Sequence, residues 1–193
     1  MIFRTLKFWV LSSELILLFP QVSPDMSLLW SPTRRLVWSD YQAKPPARRD
    51  ASALTSYVLS FDNDCTGGTY HVRIVTAFLQ DKSWVDRAVL IQPTLSRLVL
   101  QHEQTHFDLS ELHARKMRKA IAALKEPCAM TEDQRRAIVA PYMSEDRDMQ
   151  RRYDRETSNG RDVRWQADWI KNVSLQLDAL KQYADPGPHT SKF

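Results

Sequence analysis

The apolar positions of this chain change period part-way along it. In the first half they alternate with polar residues or come in short runs. "LTSYVLSF" (54–61) is rich in β-branched and aromatic residues, and "TYHVRIVTAFLQ" (69–80) sets Tyr70, Val72, Ile74 and Thr76 on one face against His71, Arg73 and Val75 on the other. A period of two predicts strands. Between them "DNDCTGG" (62–68) supplies turn chemistry at Asn63, Gly67 and Gly68. A further strand is expected at Leu36–Tyr41, ahead of the loop broken by Pro45 and Pro46. Together these read as an antiparallel meander.

From Pro93 onward the period is helical. Apolar or histidine positions recur at Leu95, Leu98, Val99, His102, His106, Leu109, His113, Met117, Ala120, Ile121 and Leu124, all on one face of a helix. Pro127 ends the run. Thr131, followed by Glu132 and Asp133, suits the start of a second helix, which Pro141 is expected to break or kink. Asn159-Gly160 is a stop signal. "VRWQADWIKNVSLQLDALKQY" (163–183) gives a last amphipathic helix with Trp165, Trp169, Val173, Leu177 and Leu180 on its apolar face. The expected class is α+β: a small antiparallel sheet, then a long helix and two further helical segments. Residues 31–185 make one domain of 193 residues in all, with 186–193 as a frayed tail.

Residues 1–30 read as a leader. Arg4 and Lys7 precede a twelve-residue apolar stretch, Phe8–Phe19, interrupted by Glu14. As a helix it would span only about 18 Å, short of a ~30 Å hydrocarbon core, and so suits a secretory signal better than a membrane span. Export to the periplasm or beyond is the expectation, with membrane proximity confined to this segment. Translation from Met26 would instead leave the protein in the cytoplasm. Cys65 and Cys128 lack C-x-x-C spacing, which argues against a cysteine zinc site. In an oxidising compartment they can pair, and so long a loop would stabilise by about 4 kcal/mol.

Composition adds little. Apolar content of 43% and charged content of 26% are those of a globular chain. The net charge of +4 comes from cations spread along the chain, and the densest clusters, at 33–35, 47–49 and 150–152, are too short for a nucleic-acid tract. No nucleic-acid partner is expected.

The chemistry lies in "QHEQTHFDLSELHARK" (101–116), which holds H-E-x-x-H at His102, Glu103 and His106. On a helix, residues four apart share a face, so two imidazoles can meet one Zn²⁺ from adjacent turns. Glu103 points about 100° away from His102, where a carboxylate serves as general base rather than ligand. A catalytic zinc site needs a third protein ligand. His113 shares the azimuth but lies roughly 10 Å further along the helix than His106. Glu111, on the other side, suits a surface ion pair with Arg115, and Asp108 is placed to orient an imidazole. The third ligand is therefore expected from "RRYDRETSNG" (151–160), which concentrates Tyr153, Asp154, Glu156, Thr157 and Asn159. His71 and its strand are a candidate edge for an extended peptide.

With these pieces in hand the chain resembles a bacterial family of unknown function, number 922, whose members look like secreted zinc-dependent proteases. "LVWSDYQ" (36–42), "SWV" (83–85), "HEQTHFDLSELHARK" (102–116), "YDRETSNG" (153–160) and "QADW" (166–169) carry the resemblance, the H-E-x-x-H block most specifically. It implies a zincin-like fold and one Zn²⁺ per chain held by His102, His106 and Asp154, with Glu156 as the alternative third ligand. Glu103 would then be the base, and Tyr153 or Asn159 a donor to the developing oxyanion. The family motif runs Tyr-Asp-x-x-Thr-x-His-Gly, and here Asn159 stands in place of its histidine. The expected function is a zinc-dependent metallopeptidase acting on a peptide or protein. The alternative is a zinc-stabilised, non-catalytic envelope protein that binds a peptide or protein partner.

Overall fold

The strand-forming half of the chain and its helical half meet along one long helix. The computed structural model describes residues 26–185. The signal stretch at Phe8–Phe19 and the tail at 186–193 lie outside the described residues. Two long strands form a hairpin: β3 (Tyr57–Thr66) pairs antiparallel with β4 (Thr69–Leu79), from Tyr57 opposite Phe78 to Thr66 opposite Thr69. Strand β3 uses most of the stretch expected as a turn. Only Gly67 and Gly68 make the reversal, both at positive φ, where a side chain would be strained.

A short strand, β1 (Ser27–Leu29), pairs with the far end of β4, so the sheet runs β1-β4-β3. The sheet thus takes in residues that the sequence pattern groups with the leader, because three paired residues are too few for a period to show. Strands β2 (Ala53–Leu54) and β5 (Trp84–Val85) form a separate two-stranded ladder. The strand expected at Leu36–Tyr41 is instead a 3₁₀ turn at Trp38–Asp40. Asp40 Oδ2 accepts from Val37 N (2.8 Å) and Oδ1 from Arg34 (2.7 Å), a local arrangement that competes with a strand ladder.

Among the described residues four α-helices follow. Asp86 caps the short α1 (Arg87–Leu90), and Pro93 opens α2 (Pro93–Ala122). Thr131 and Gln134 form a capping box at the start of α3 (Glu132–Glu156). Asp162 accepts from Arg164 N and Trp165 N to start α4 (Val163–Ala179). Pro141 does not break the helix: α3 runs on through it. Val139 before it and Tyr142 and Met143 after it pack on the same hairpin cluster, which holds both sides in one element although a backbone bond is missing. On α4, Val173 and Leu177 are buried as the pattern requires, but Trp165 is 51% exposed.

Helix α2 is central. From His102 to Arg115 every residue except His106 is buried, so the helix is enclosed on all sides. Its polar residues are therefore met by partners. Gln104 accepts from Leu36 N (2.7 Å) and donates to Asp108 (2.9 Å), and Ser110 bonds Thr76. Asp108 is taken up by Trp30 Nε1 (2.8 Å), Arg35 and Gln104, not by an imidazole as the sequence suggested. The Glu111–Arg115 pair exists but is buried, not on the surface, because α4 and β4 cover that face.

Apolar residues gather around α2 in three groups. Phe61, Ile74, Met117 and Val139 join the hairpin to α3. Leu109, Leu112, Tyr153, Val173 and Leu177 join α3 to α4. Leu36, Tyr41, Phe78 and Phe107 hold the 3₁₀ turn. Cys65, near the hairpin tip, forms a disulfide with Cys128 in the turn before α3, closing a separation of 63 residues.

Candidate metal centre

His102 and His106 leave α2 one turn apart, and Asp154 meets them from the last turn of α3. Their donor atoms converge. The two Nε2 atoms are 3.1 Å apart, and Asp154 Oδ1 lies 3.2 Å from His102 Nε2 and 2.9 Å from His106 Nε2. Ligands about 2.0–2.1 Å from a tetrahedral zinc would sit about 3.3–3.4 Å from one another, so the trio is spaced much as one ion requires. Among the described residues it is the one group of three His, Cys, Asp or Glu that does so. The histidine side chains are largely buried and that of Asp154 is 42% exposed, so solvent reaches the centre from the Asp154 side.

Gln150 fixes the chemistry of His106. Its Nε2 donates to His106 O and to Asp146 Oδ1 (both 3.0 Å), which turns Oε1 to His106 Nδ1 at 2.6 Å. An amide oxygen only accepts, so in the neutral ring Nδ1 carries the proton and Nε2 keeps the lone pair that a metal needs. Asp146 accepts in turn from Tyr57 (2.7 Å). Burial pushes the Asp146 carboxyl up, but hydrogen bonds from His113, Tyr57 and Gln150 outweigh it and hold the group below its usual range. Sequence reasoning missed Gln150 and Asp146. Their signal was available, since Asp146, Gln150 and Asp154 stand four apart on one face of α3.

The electrostatics suit a cation. Burial favours the neutral form of Asp154, yet the imidazoles of His102 and His106 outweigh it and hold the carboxyl well below the carboxylate range. Burial likewise favours neutral His106, but Asp154, the Glu103 charge and Gln150 together raise its pKa. Glu103 is buried, and its charge also raises the phenols of Tyr41 and Tyr153, after the larger effect of burial. Its carboxylate therefore lies near the centre while standing outside the converging trio.

The other candidates stand outside the converging trio. Tyr153 is fully buried, stacks on the His102 ring (4.6 Å between centroids) and turns its hydroxyl towards His102 O at 3.5 Å. It packs with Leu109, Leu112 and Val173, against the helix that carries His102 and His106. Glu156 is bound by Arg152 (2.7 Å) and Trp169 (3.0 Å), since two residues on from Asp154 it faces α4. His113 Nδ1 lies 2.8 Å from Leu109 O, out of the trio. His71 stands beside Tyr70, which packs with Ile121, fifteen residues or about 22 Å of helix beyond His106.

Asn159 is exposed in a turn where Ser158, Asn159 and Gly160 all have positive φ. Its backbone N–H donates to Asp154 O (2.7 Å), closing the helix end that carries Asp154. Asparagine and histidine are both enriched in left-handed backbone, so the turn accepts either. Gly160 is more constrained. With φ +78°, a Cβ there would come within 2.9 Å of His102 Cγ. Gly160→Ala is expected to cost about 1–3 kcal/mol, read as a lower urea midpoint. An unchanged midpoint would mean that the turn yields without strain.

The model of the bacterial proteins of unknown function DUF922 matches residues 36–160. A search of curated proteins and a search of solved structures each return no match. The matched span takes in the hairpin, α2, α3, all three converging donors and the turn at Gly160, and it covers well over half of the sequence. The chain belongs to the bacterial family DUF922.

Proposed function

We propose that this protein is a zinc-dependent amide hydrolase of zincin-like build, acting as a metallopeptidase on a peptide or protein outside the cytoplasm. The observation that carries the reading is the meeting of His102 and His106 with Asp154, with Glu103 close by but outside the donor set. These three residues would hold about one zinc per chain. When bound, the metal supplies Lewis acidity to a carbonyl oxygen and makes water a better nucleophile. Glu103 takes the proton from the attacking water and returns it to the leaving amine. Asp154 brings the negative charge that offsets part of the cation, and Gln150 holds His106 in the ligating tautomer. The Cys65–Cys128 disulfide supports an oxidising compartment, periplasmic or secreted. No helix among the described residues is long and apolar enough to cross a membrane.

Glu103→Gln separates the base from the ligands. The variant is expected to retain zinc while hydrolysis of a peptide library falls by about 10²–10⁴-fold. Hydrolysis at the wild-type rate would remove Glu103 from its role. The second reading, a zinc-stabilised protein that binds a partner without turnover, draws support from Tyr153. Burial of that phenol takes away one donor proposed for the oxyanion. Zinc-dependent turnover in the wild type, lost on chelation and restored by added zinc, would eliminate it.

A further inference from the structure

The two imidazoles of the centre are served unequally. His106 Nδ1 has Gln150 as its acceptor, whereas His102 Nδ1 is buried and makes no hydrogen bond. His102 Nε2 faces Asp154 and His106, so in the neutral ring that ligates through Nε2 the proton belongs on Nδ1. A buried N–H without an acceptor is costly, and native structures seldom leave one.

A second unmet atom lies beside it. Gln166, in the first turn of α4, is 2% exposed and donates Nε2 to Leu98 O at 3.0 Å. Its Oε1 is buried without a partner. Gly160 separates the two groups: the position a Cβ would take on it is 2.9 Å from His102 Cγ and 3.0 Å from Gln166 Oε1. An acceptor lacking a donor and a ring lacking an acceptor thus border the same glycine.

We infer that Gln166 Oε1 is the acceptor for His102 Nδ1–H in the zinc-loaded centre, which makes Gln166 the positioning residue for His102. The arrangement parallels that of Gln150. Each glutamine donates Nε2 to a backbone carbonyl of α2 at 3.0 Å, Gln150 to His106 O and Gln166 to Leu98 O, which leaves Oε1 for an imidazole. One amide comes from α3 and the other from α4, so the ligand geometry depends on three helices. The inference rests on the zinc reading above.

The test measures zinc affinity of the full chain by competition with a chromogenic chelator, for wild type, Gln166→Met and Gln150→Met. It is paired with NMR of the imidazole N–H protons in the zinc-loaded protein. Gln166→Met is expected to weaken zinc binding by about 10–100-fold. Wild type should show a slowly exchanging His102 Nδ1–H signal that Gln166→Met displaces while the His106 signal stays, and Gln150→Met should do the reverse. Rapid solvent exchange of His102 Nδ1–H in the zinc-loaded wild type would overturn the inference, and needs no variant to fold. Wild-type affinity in Gln166→Met would overturn it while leaving the zinc centre standing. A wild type that takes up no zinc would overturn both.

Discussion

Asp154→Ala should strip the centre of its metal. After dialysis against a weak chelator, wild type is expected to hold about one zinc per chain and the variant a small fraction of that. Asp154 supplies the one donor of the trio that α2 does not, and its Oδ1 lies within 3.2 Å of both imidazole Nε2 atoms. Loss of outer partners of a ligand costs 10–100-fold in metal affinity, so loss of a ligand itself should exceed about 100-fold. Asp154→Asn keeps an oxygen and loses the charge, and should fall between the two. Glu156→Ala is the control, because its carboxylate is held by Arg152 and Trp169 away from the centre. Zinc retained in Asp154→Ala at the wild-type level would show that the third ligand comes from elsewhere and that the convergence is an ordinary hydrogen-bonded cluster.

The second large effect is one of stability. Glu111 is 1% exposed and lies between two guanidiniums: Arg115 Nε donates to it at 2.9 Å and Arg118 at 3.0 Å. The same arginines continue outwards. Arg115 donates to Leu177 O at 2.6 Å, and Arg118 to Ile74 O and Tyr183 O at 2.9 Å each, so one carboxylate anchors β4, α4 and the chain beyond it to α2. Removing one partner of a buried ion pair leaves uncompensated charge and costs about 3–5 kcal/mol. Glu111→Ala should lose that much in urea unfolding, a large share of the ~5–15 kcal/mol typical of a native protein. A loss below about 1 kcal/mol would mean that water reaches the arginines once the carboxylate is gone.

Much of this molecule is legible along its sequence, for local reasons. The alternation at Tyr70–Thr76 and the three- and four-residue spacing after Pro93 each report a single face, and both became the elements they predict. The four-residue interval between His102 and His106 is likewise a property of one helix. What sequence could not supply was partnership across elements. Nothing local distinguishes Leu36–Tyr41 as a strand from the 3₁₀ turn that Asp40 creates by bonding its own neighbours. Glu111 looked solvated because a helix pattern shows one buried face, whereas Glu111 and its helix neighbours Gln104 and Asp108 are buried by elements from distant parts of the chain. Pro141 looked like a break or a kink because the missing backbone bond is visible in sequence and the packing that keeps the helix continuous is not. The opposite orientations of Asp154 and Glu156, two residues apart on α3, emerged only once α2 and α4 were in place.

The placement of Asp154 on a different helix from the two histidines would have a thermodynamic consequence with zinc bound. Because His106 and Asp154 stand 48 positions apart, the unfolded chain offers no assembled site, and zinc would act as a reversible staple between α2 and α3. Ligand binding to the native state alone adds RT ln(1 + [Zn²⁺]/Kd) to its stability, about 1.4 kcal/mol for each tenfold rise in free zinc above Kd and about 4.1 kcal/mol at 1,000 Kd. The melting temperature of this protein would then track the metal content of its surroundings. Where free zinc is scarce the same chain would open more often and be digested sooner, so its abundance would follow metal supply without any dedicated sensor.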